Sequence, residues 1–235
     1  MTEVAAVIRT VPKLGRGPAE NEDSATMDAA LGRFAVADGA STSARPEVWS
    51  RLLVSACVEE DADPLEPRTL AHLRERWLAA VADPALPWFA QAKLEQGADA
   101  AFVSLRLDPV AATYQATGVG DSCLFHLRAD RIVRVGPVER AGGFNRFPLL
   151  LSSRAAAAAP GGTALAGSYR PGDVFALATD AMAHFLLGVH ERIGRLPSLA
   201  ALVRSPETFA RQTARYRWRG RIANDDTTLC VVTTR

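Results

Sequence analysis

The hydrophobic and polar positions of the chain alternate between short apolar runs and stretches with helical spacing. The apolar runs are bounded by glycine, proline or aspartate, which predicts β-strands. These strands are expected at residues 4–10, near Ala25, around Val36, and at 101–107, 112–117, 123–127, 131–135, 173–178 and 227–233. The segment 142–166 shows neither periodicity, and we predict an irregular conformation for it.

Helical spacing begins after Pro46, a residue that suits the first turn of a helix. Apolar residues then recur every three or four positions as far as Ala56. The same pattern predicts a helix over 69–81, a short one over 88–95, and two or three helices within 181–216.

The elements therefore occur in blocks of strands, helices, strands, helices and a final strand. Segregated blocks favour an α+β fold built of layers over a fold of repeated βαβ units. Between residues 101 and 135 the strands are separated by short turns, which predicts an antiparallel meander. A length of 235 residues makes one domain spanning 1–235 the default expectation.

Composition and charge exclude several classes of protein. With 48% hydrophobic and 23% charged residues, the chain has the composition of a soluble globular protein. A net charge of +1 gives no general attraction to nucleic acid or to a membrane surface, and no apolar run is long enough for a transmembrane helix. The start of the chain lacks a secretory pattern, and three widely spaced cysteines indicate buried thiols. We therefore expect a cytoplasmic protein without nucleic-acid or membrane partners.

Several carboxylates lie at the ends of predicted strands. Asp23 precedes a strand, Asp38 ends one, Asp180 follows the run 174–178, and Asp225 precedes the last strand. Carboxylate oxygens, and a backbone carbonyl such as that of Gly39, are the ligands that Mg²⁺ and Mn²⁺ prefer. Four such acids without a matching histidine or cysteine cluster suit a site for two divalent cations. Solvated turn residues are the alternative interpretation.

A second charged feature lies at residues 211–221, where five arginines are interleaved with Tyr216 and Trp218. This pattern is compatible with a solvated helix face held in ion pairs, with a surface that guides an anionic phosphoprotein, or with a nucleic-acid surface. Its position just before Asp225 favours the phosphoprotein over the nucleic acid.

Short motifs follow one another in a characteristic order from about residue 4 to residue 234. They are Asn-Glu-Asp-Ser at 21–24, Val-Ala-Asp-Gly at 36–39, Gly-Ala-Asp-Ala at 97–100, Gly-Asp-Ser at 120–122, the run 173–180 that ends in Asp180, and Asn-Asp-Asp-Thr-Thr at 224–228. In this order they resemble the motifs of the PP2C (PPM) family of metal-dependent serine/threonine protein phosphatases.

The resemblance implies a four-layer α/β/β/α sandwich with two central antiparallel sheets and a metal site at one end. It implies two Mn²⁺ or Mg²⁺ ions, with Asp38 as the ligand that bridges them. The expected ligands are Asp23 (or Glu22), Asp38, the Gly39 carbonyl, Asp180 and Asp225. Asp38, Asp180 and Asp225 would thus be catalytic through the metal-bound water, a hydroxide that attacks the phosphorus of phosphoserine or phosphothreonine in a protein. A Ser/Thr kinase would be the antagonist.

Three positions depart from the family pattern. Pro18 stands where many members have a phosphate-binding arginine, and we predict that the nearby Arg16 binds the substrate instead. Ala181 follows Asp180 where glycine is usual, and Ala40 stands where some relatives have a histidine that protonates the leaving group. The missing arginine and Ala181 motivate a second hypothesis, a weak or inactive PP2C-like protein that binds phosphoproteins or another partner.

Overall fold

The structure is a computed structural model, and it describes residues 3–145 and 147–235. The strands are β1 (Val4–Val11), β2 (Ser24–Asp28), β3 (Arg33–Gly39), β4 (Asp99–Asp108), β5 (Thr113–Val119), β6 (Cys123–Arg128), β7 (Arg131–Gly136), β8 (Leu151–Ser152), β9 (Thr163–Ser168), β10 (Val174–Ala178) and β11 (Thr227–Thr234). The helices are α1 (Pro46–Val58), α2 (Pro67–Val81), α3 (Trp88–Glu95), α4 (Asp180–Ile193), α5 (Leu199–Leu202) and α6 (Pro206–Trp218).

The strands form two antiparallel sheets. One has five strands in the order β1-β11-β10-β6-β7. The other has the order β2-β3-β4-β5-β9, with the short β8 paired to β4. The predicted α+β fold with two central antiparallel sheets is therefore confirmed.

Side chains of the central strands alternate between two buried layers. In β3, Phe34 and Val36 pack between the two sheets, whereas Ala35 and Ala37 pack under α1 and α2. Strands covered on both faces lose the usual alternation of apolar and polar residues, because every position is buried. This explains why the sequence shows continuous apolar runs.

Helices cover the outer face of each sheet, which completes the four layers. Helices α1 and α2 pack on the six-stranded sheet, where Trp49 is fully buried and its Nε1 donates to the Leu151 carbonyl at 2.8 Å. Helices α4, α5 and α6 pack on the five-stranded sheet. The predicted helices are confirmed; α2 begins at Pro67, two residues before the predicted start, because the Glu66 carboxylate caps it by accepting from the Thr69 N–H at 2.7 Å.

The predicted meander over 101–135 is wrong. Strands β4 and β5 pair in one sheet and β6 and β7 in the other, so the chain changes sheets between β5 and β6. Gly120 makes this turn at φ +84°, and a Cβ there would lie 2.8 Å from the Ala101 Cβ. A left-handed backbone in so narrow a space requires glycine, and the turn redirects the next strand.

The prediction that 142–166 is irregular is also wrong in part, since β8 and the start of β9 lie within it. Strand β9 is the edge strand beside β5, and Leu165 is its one buried residue. An edge strand with a single buried side chain lacks the hydrophobic pattern by which sequence analysis detects strands.

None of the helices within the described residues is long and apolar enough to cross a bilayer. The three cysteines are buried free thiols, as predicted. Met1 and Thr2, which belong to the start of the chain used to argue against a secretory signal, lie outside the described residues.

Candidate metal centre

Three acids of the five-stranded sheet lie at the same end of its central strands, which we call the acidic edge. Ala178, the last residue of β10, pairs with Cys123 at the start of β6 and with Leu229 near the start of β11. Asp180 lies just beyond the end of β10, and Asp121 and Asp225 lie just before the other two strands. In an antiparallel sheet the end of one strand lies beside the starts of its two neighbours, so the three carboxylates lie at the same edge.

The six-stranded sheet brings Asp23 and Asp38 to that edge in the same way. Ser24 at the start of β2 pairs with Ala37 near the end of β3, which places Asp23 before one strand and Asp38 at the end of its neighbour. Asp38 also continues the side-chain alternation of Phe34 and Val36, which face the layer between the sheets. Its carboxylate is therefore directed to where the two sheets meet.

Hydrogen bonds join the two sheets at this edge. The Thr179 hydroxyl, which follows β10, donates to Asp23 Oδ2 at 3.1 Å and accepts from the Thr228 N–H at 3.0 Å. The hydrogen bond from Thr179 therefore fixes one oxygen of Asp23. Its other oxygen, Oδ1, is buried and has no hydrogen-bond partner within residues 3–145 and 147–235.

Sequence analysis missed Asp226 as part of the site. This buried carboxylate accepts from the backbone N–H of Lys13 and from that of Glu22, each at 2.8 Å. It thereby ties the segments after β1 and before β2 to the start of β11. The motif pattern favours the adjacent Asp225 as a ligand, and only the fold shows that Asp226 accepts backbone hydrogen bonds instead.

Gly39 is required here because of space. A Cβ at this position would lie 2.8 Å from the Glu22 carbonyl oxygen and 2.8 Å from the Pro46 Cβ. The loop that carries Glu22 and the first turn of α1 therefore approach the end of β3 more closely than any side chain allows. The assignment of the Gly39 carbonyl as a ligand stays a prediction.

The acids at this edge raise one another's pKa. Burial raises the pKa of Asp38 well above its usual range, and the charges of Asp23, Asp180, Asp121 and Asp225 add to the rise. The same two causes, burial first, raise the pKa of Asp23, Asp180 and Asp225. For Asp121, burial and the charge of Asp180 raise the pKa to about 6. Mutual repulsion of this kind is what bound cations would relieve.

The residues fit divalent cations in their chemistry and in their common edge. The donor set is all oxygen, and the unpartnered Asp23 Oδ1 is a buried acceptor without a donor. Among the described residues, however, no group of three or more acids, histidines or cysteines converges closely enough to form a finished coordination site.

Two cationic side chains line a cavity of about 320 Å³ together with glutamates, and none of the strand-end aspartates lines it. Lys13 Nζ donates to Glu22 Oε2 at 2.7 Å and to Ser41 Oγ at 2.8 Å. Arg16, the predicted substrate-binding residue, donates to Glu20 at 2.6 Å and is largely exposed. Arg16 thus lines the same cavity but is held in an ion pair, and its role stays a prediction.

The backbone around Ala181 and Ala40, the other two departures from the family pattern, is regular and hydrogen-bonded. Ala181 lies in the first turn of α4, is buried, and its N–H donates to the Asp180 carboxylate. Ala40 continues the loop after β3, where its N–H donates to the Asp99 carbonyl at 2.9 Å. Two of the histidines lie elsewhere: His126 is buried in an ion pair with Asp173, and His72 is exposed on α2.

The arginine segment 211–221 does not form one face. Arg211, Arg215, Arg219 and Arg221 are exposed, as is Trp218, whereas Tyr216 packs on Phe185 with ring centroids 4.5 Å apart. Arg217 turns inward toward the acidic edge. Exposure of the other four arginines is compatible with each of the three interpretations, which stay predictions.

The architecture is that of the PP2C-type serine/threonine phosphatases. Similar solved structures include the Mycobacterium tuberculosis phosphatase PstP/Ppp, with a TM-score of 0.65, 17% identity and 99% of each chain covered. The photosystem II phosphatase PBCP matches with a TM-score of 0.64, 17% identity and 99% of each chain. The catalytic domain of PstP in complex with two manganese ions matches with a TM-score of 0.60, 19% identity, and 100% of this chain and 99% of that one.

At these identities the likeness establishes the fold. Neither the protein-family models nor the curated protein sequences contain a match to the chain.

Proposed function

We propose that the chain is a Mn²⁺- or Mg²⁺-dependent phosphatase that hydrolyses phosphoserine and phosphothreonine in proteins. One observation carries the proposal: acids from both sheets, Asp23, Asp38, Asp180 and Asp225, meet at one edge of a PP2C-type sandwich and raise one another's pKa. An edge of this kind is costly to the folded chain unless cations bind there.

The roles proposed for the acids are those that the resemblance to the phosphatase motifs implies, and their positions at the strand ends support them. Asp38, on the inner face between the sheets, would be shared by two cations, with the Gly39 carbonyl beside it. Asp180 and Asp225 would hold one cation from the five-stranded sheet, and Asp23 would contribute from the six-stranded sheet. Bound cations would activate a water for attack on phosphorus and neutralise the phosphoryl oxygens.

The substrate would be an anionic group on a protein. Lys13 and Arg16 supply positive charge in the cavity lined by Glu20 and Glu22, and the charge of Lys13 also acts on Asp225. A phosphoryl group could compete with Glu20 for the Arg16 guanidinium. We keep the cytoplasm as the proposed compartment and a Ser/Thr kinase as the proposed antagonist.

Metal-dependent turnover tests the proposal. Purified protein is assayed on p-nitrophenyl phosphate and on a phosphothreonine peptide, with and without Mn²⁺. Asp38→Asn should lower the Mn²⁺-dependent rate about 1,000-fold, because it removes a charged oxygen from the ligand that we propose both cations share. Asp28→Asn is the matched control, since Asp28 lies at the other end of the β2–β3 hairpin and an asparagine can still accept from the Leu31 N–H. Full activity in Asp38→Asn, or no Mn²⁺-dependent turnover in the wild type, would refute the proposal.

A non-catalytic phosphoprotein-binding module is the second candidate. The observation that favours it is the lack of a finished coordination site among the described residues, together with Pro18 and Ala181 at the departing positions. Isothermal titration with Mn²⁺ separates the two: this candidate requires either weak metal binding or binding without turnover. Robust hydrolysis would remove it.

A further inference from the structure

Arg217 lies in the last turn of α6 and differs from the other arginines of its segment. Arg215 and Arg219 are exposed, whereas the Arg217 side chain is half-buried and reaches the acidic edge. One guanidinium nitrogen, Nη1, donates to the Pro12 carbonyl at 2.8 Å. The other, Nη2, donates to the Asp225 carbonyl and to Thr227 Oγ1 at 2.9 Å.

These contacts join three segments that the sequence keeps apart. Pro12 follows β1, Thr227 begins β11, and Asp225 lies in the loop between α6 and β11. The Asp225 carbonyl also accepts from Thr227 Oγ1 at 3.0 Å, so two donors fix its backbone. A planar guanidinium fork can hold three acceptors in one geometry, which a flexible ammonium group cannot.

The charge of Arg217 matters as well as its reach. Burial lowers the pKa of its guanidinium, and the carboxylates of Asp226, Asp225 and Asp23 act in the opposite direction. Its Nε is buried and finds no acceptor in the described part of the chain. A half-buried cation with one buried, unused donor is costly, so its position needs a reason beyond packing.

We propose that Arg217 is a positioning residue of the metal centre: it holds the backbone of the Asp225 loop so that the Asp225 carboxylate faces the cation site. This inference rests on the proposed function and adds a residue to it. Two effects compete in a variant that lacks the guanidinium. Loss of positive charge favours cation binding, whereas loss of the anchored loop weakens it, and the proposal requires the second to dominate.

Mn²⁺ affinity measured without substrate tests this inference. Isothermal titration of Arg217→Met should show the affinity of one Mn²⁺ site weakened about tenfold, because residues that orient metal ligands have effects of that size. Arg217→Lys keeps the charge and loses the fork, so its affinity should fall between that of Arg217→Met and that of the wild type. Arg215→Met, a change to an exposed residue of the same helix, is the matched control and should match the wild type.

Urea unfolding in EDTA separates positioning from a merely structural role. A structural role lowers the unfolding free energy of Arg217→Met and leaves its Mn²⁺ affinity unchanged, which would overturn the inference. Tighter Mn²⁺ binding in Arg217→Met would also overturn it, because charge would then dominate. If Arg217→Met does not fold, Arg217→Lys carries the test, and wild-type affinity in that variant would overturn the inference.

The two proposals fail in different ways. A wild type that binds Mn²⁺ without hydrolysing phosphoesters removes the proposed function and leaves the Arg217 comparison standing. A wild type that is active while Arg217→Met binds Mn²⁺ normally removes only the role of Arg217. A wild type that binds no Mn²⁺ removes both.

Discussion

The two ends of β10 carry the same residue type in opposite surroundings. Asp173, just before the strand, is buried and accepts from His126 Nε2 at 2.9 Å and from two Arg128 nitrogens at 2.8 and 2.7 Å. The Arg170 N–H adds a further hydrogen bond at 3.0 Å. Asp180, just after the strand, faces other acids; its carboxylate accepts from the adjacent Ala181 N–H, and the nearby His184 offsets only part of the repulsion.

The pKa of each carboxyl records this difference. Burial alone would raise the pKa of Asp173, but the hydrogen bonds from Arg128, His126 and Arg170 lower it to about 2. Burial and the charge of Asp225 raise the pKa of Asp180. A carboxylate surrounded by donors stabilises a fold, whereas one surrounded by other carboxylates is retained at a cost to stability. Uncompensated charge at a sheet edge therefore marks the candidate site better than acidity alone.

Removing Asp173 should have the largest effect on stability. Asp173→Ala leaves the buried His126 and the half-exposed Arg128 without their acceptor, and a buried donor left without a partner costs about 1–3 kcal/mol. Urea unfolding in EDTA at neutral pH measures this loss. Glu75→Ala on the exposed face of α2 is the control, since an exposed substitution changes stability by about 0.5 kcal/mol or less. A loss as small as the control's would show that the Asp173 cluster does not hold this end of the sheet.

Changing Asp180 should have the opposite sign and a smaller size. Asp180→Asn keeps an oxygen that can accept from the Ala181 N–H and removes one of the repelling charges. The metal-free protein should therefore gain on the order of 1 kcal/mol in unfolding free energy. The same unfolding experiment in EDTA measures it, with Asp28→Asn as the control. A loss of stability in Asp180→Asn would contradict the view that this edge is strained by its charges.

Sequence patterns identify Asp180, after β10, as a site residue, but they do not reveal the role of Asp173, before the same strand. Asp180 could be found because it belongs to an ordered set of motifs at strand ends. Asp173 has the same strand beside it, but its partners His126 and Arg128 lie 47 and 45 residues away, and no local pattern connects them. Pairing across strands depends on register, which single-sequence patterns do not contain.

The same limit explains the other omissions. The contact between Lys13 and Asp226 spans more than 200 residues of sequence, as does that between Arg217 and Pro12. Arg217 also turns inward from a helix on which its neighbouring arginines are exposed. The change of sheet at Gly120 was missed because two glycines in a turn are equally typical of a hairpin. By contrast, the helices and central strands could be predicted well, since their burial repeats with the period of the element.

The pH dependence of the unfolding free energy of the metal-free protein should reflect the acids at both ends of β10. A carboxyl whose pKa is raised on folding keeps its proton longer in the folded chain than in the unfolded chain. For the acids of the metal centre, including Asp121 with its pKa of about 6, unfolding free energy should therefore fall as the pH rises from 4 toward 6 and beyond. Asp173 acts in the opposite direction: its contribution is present above its unfolded pKa and is lost as the pH falls toward 2.

Stability without metal should therefore be greatest in mildly acidic solution. Urea unfolding in EDTA between about pH 4.5 and about pH 7.5 should give a declining unfolding free energy, by about 1.4 kcal/mol per pH unit for each proton by which the two states differ. Asp121→Asn should reduce the slope between pH 4 and 6, because it removes the group whose pKa lies at the top of that range. Saturating Mn²⁺ should flatten the decline at the upper end, since bound cations replace the protons. A stability that rises steadily to pH 7.5 without metal would mean that the charges of this edge are already compensated within the chain.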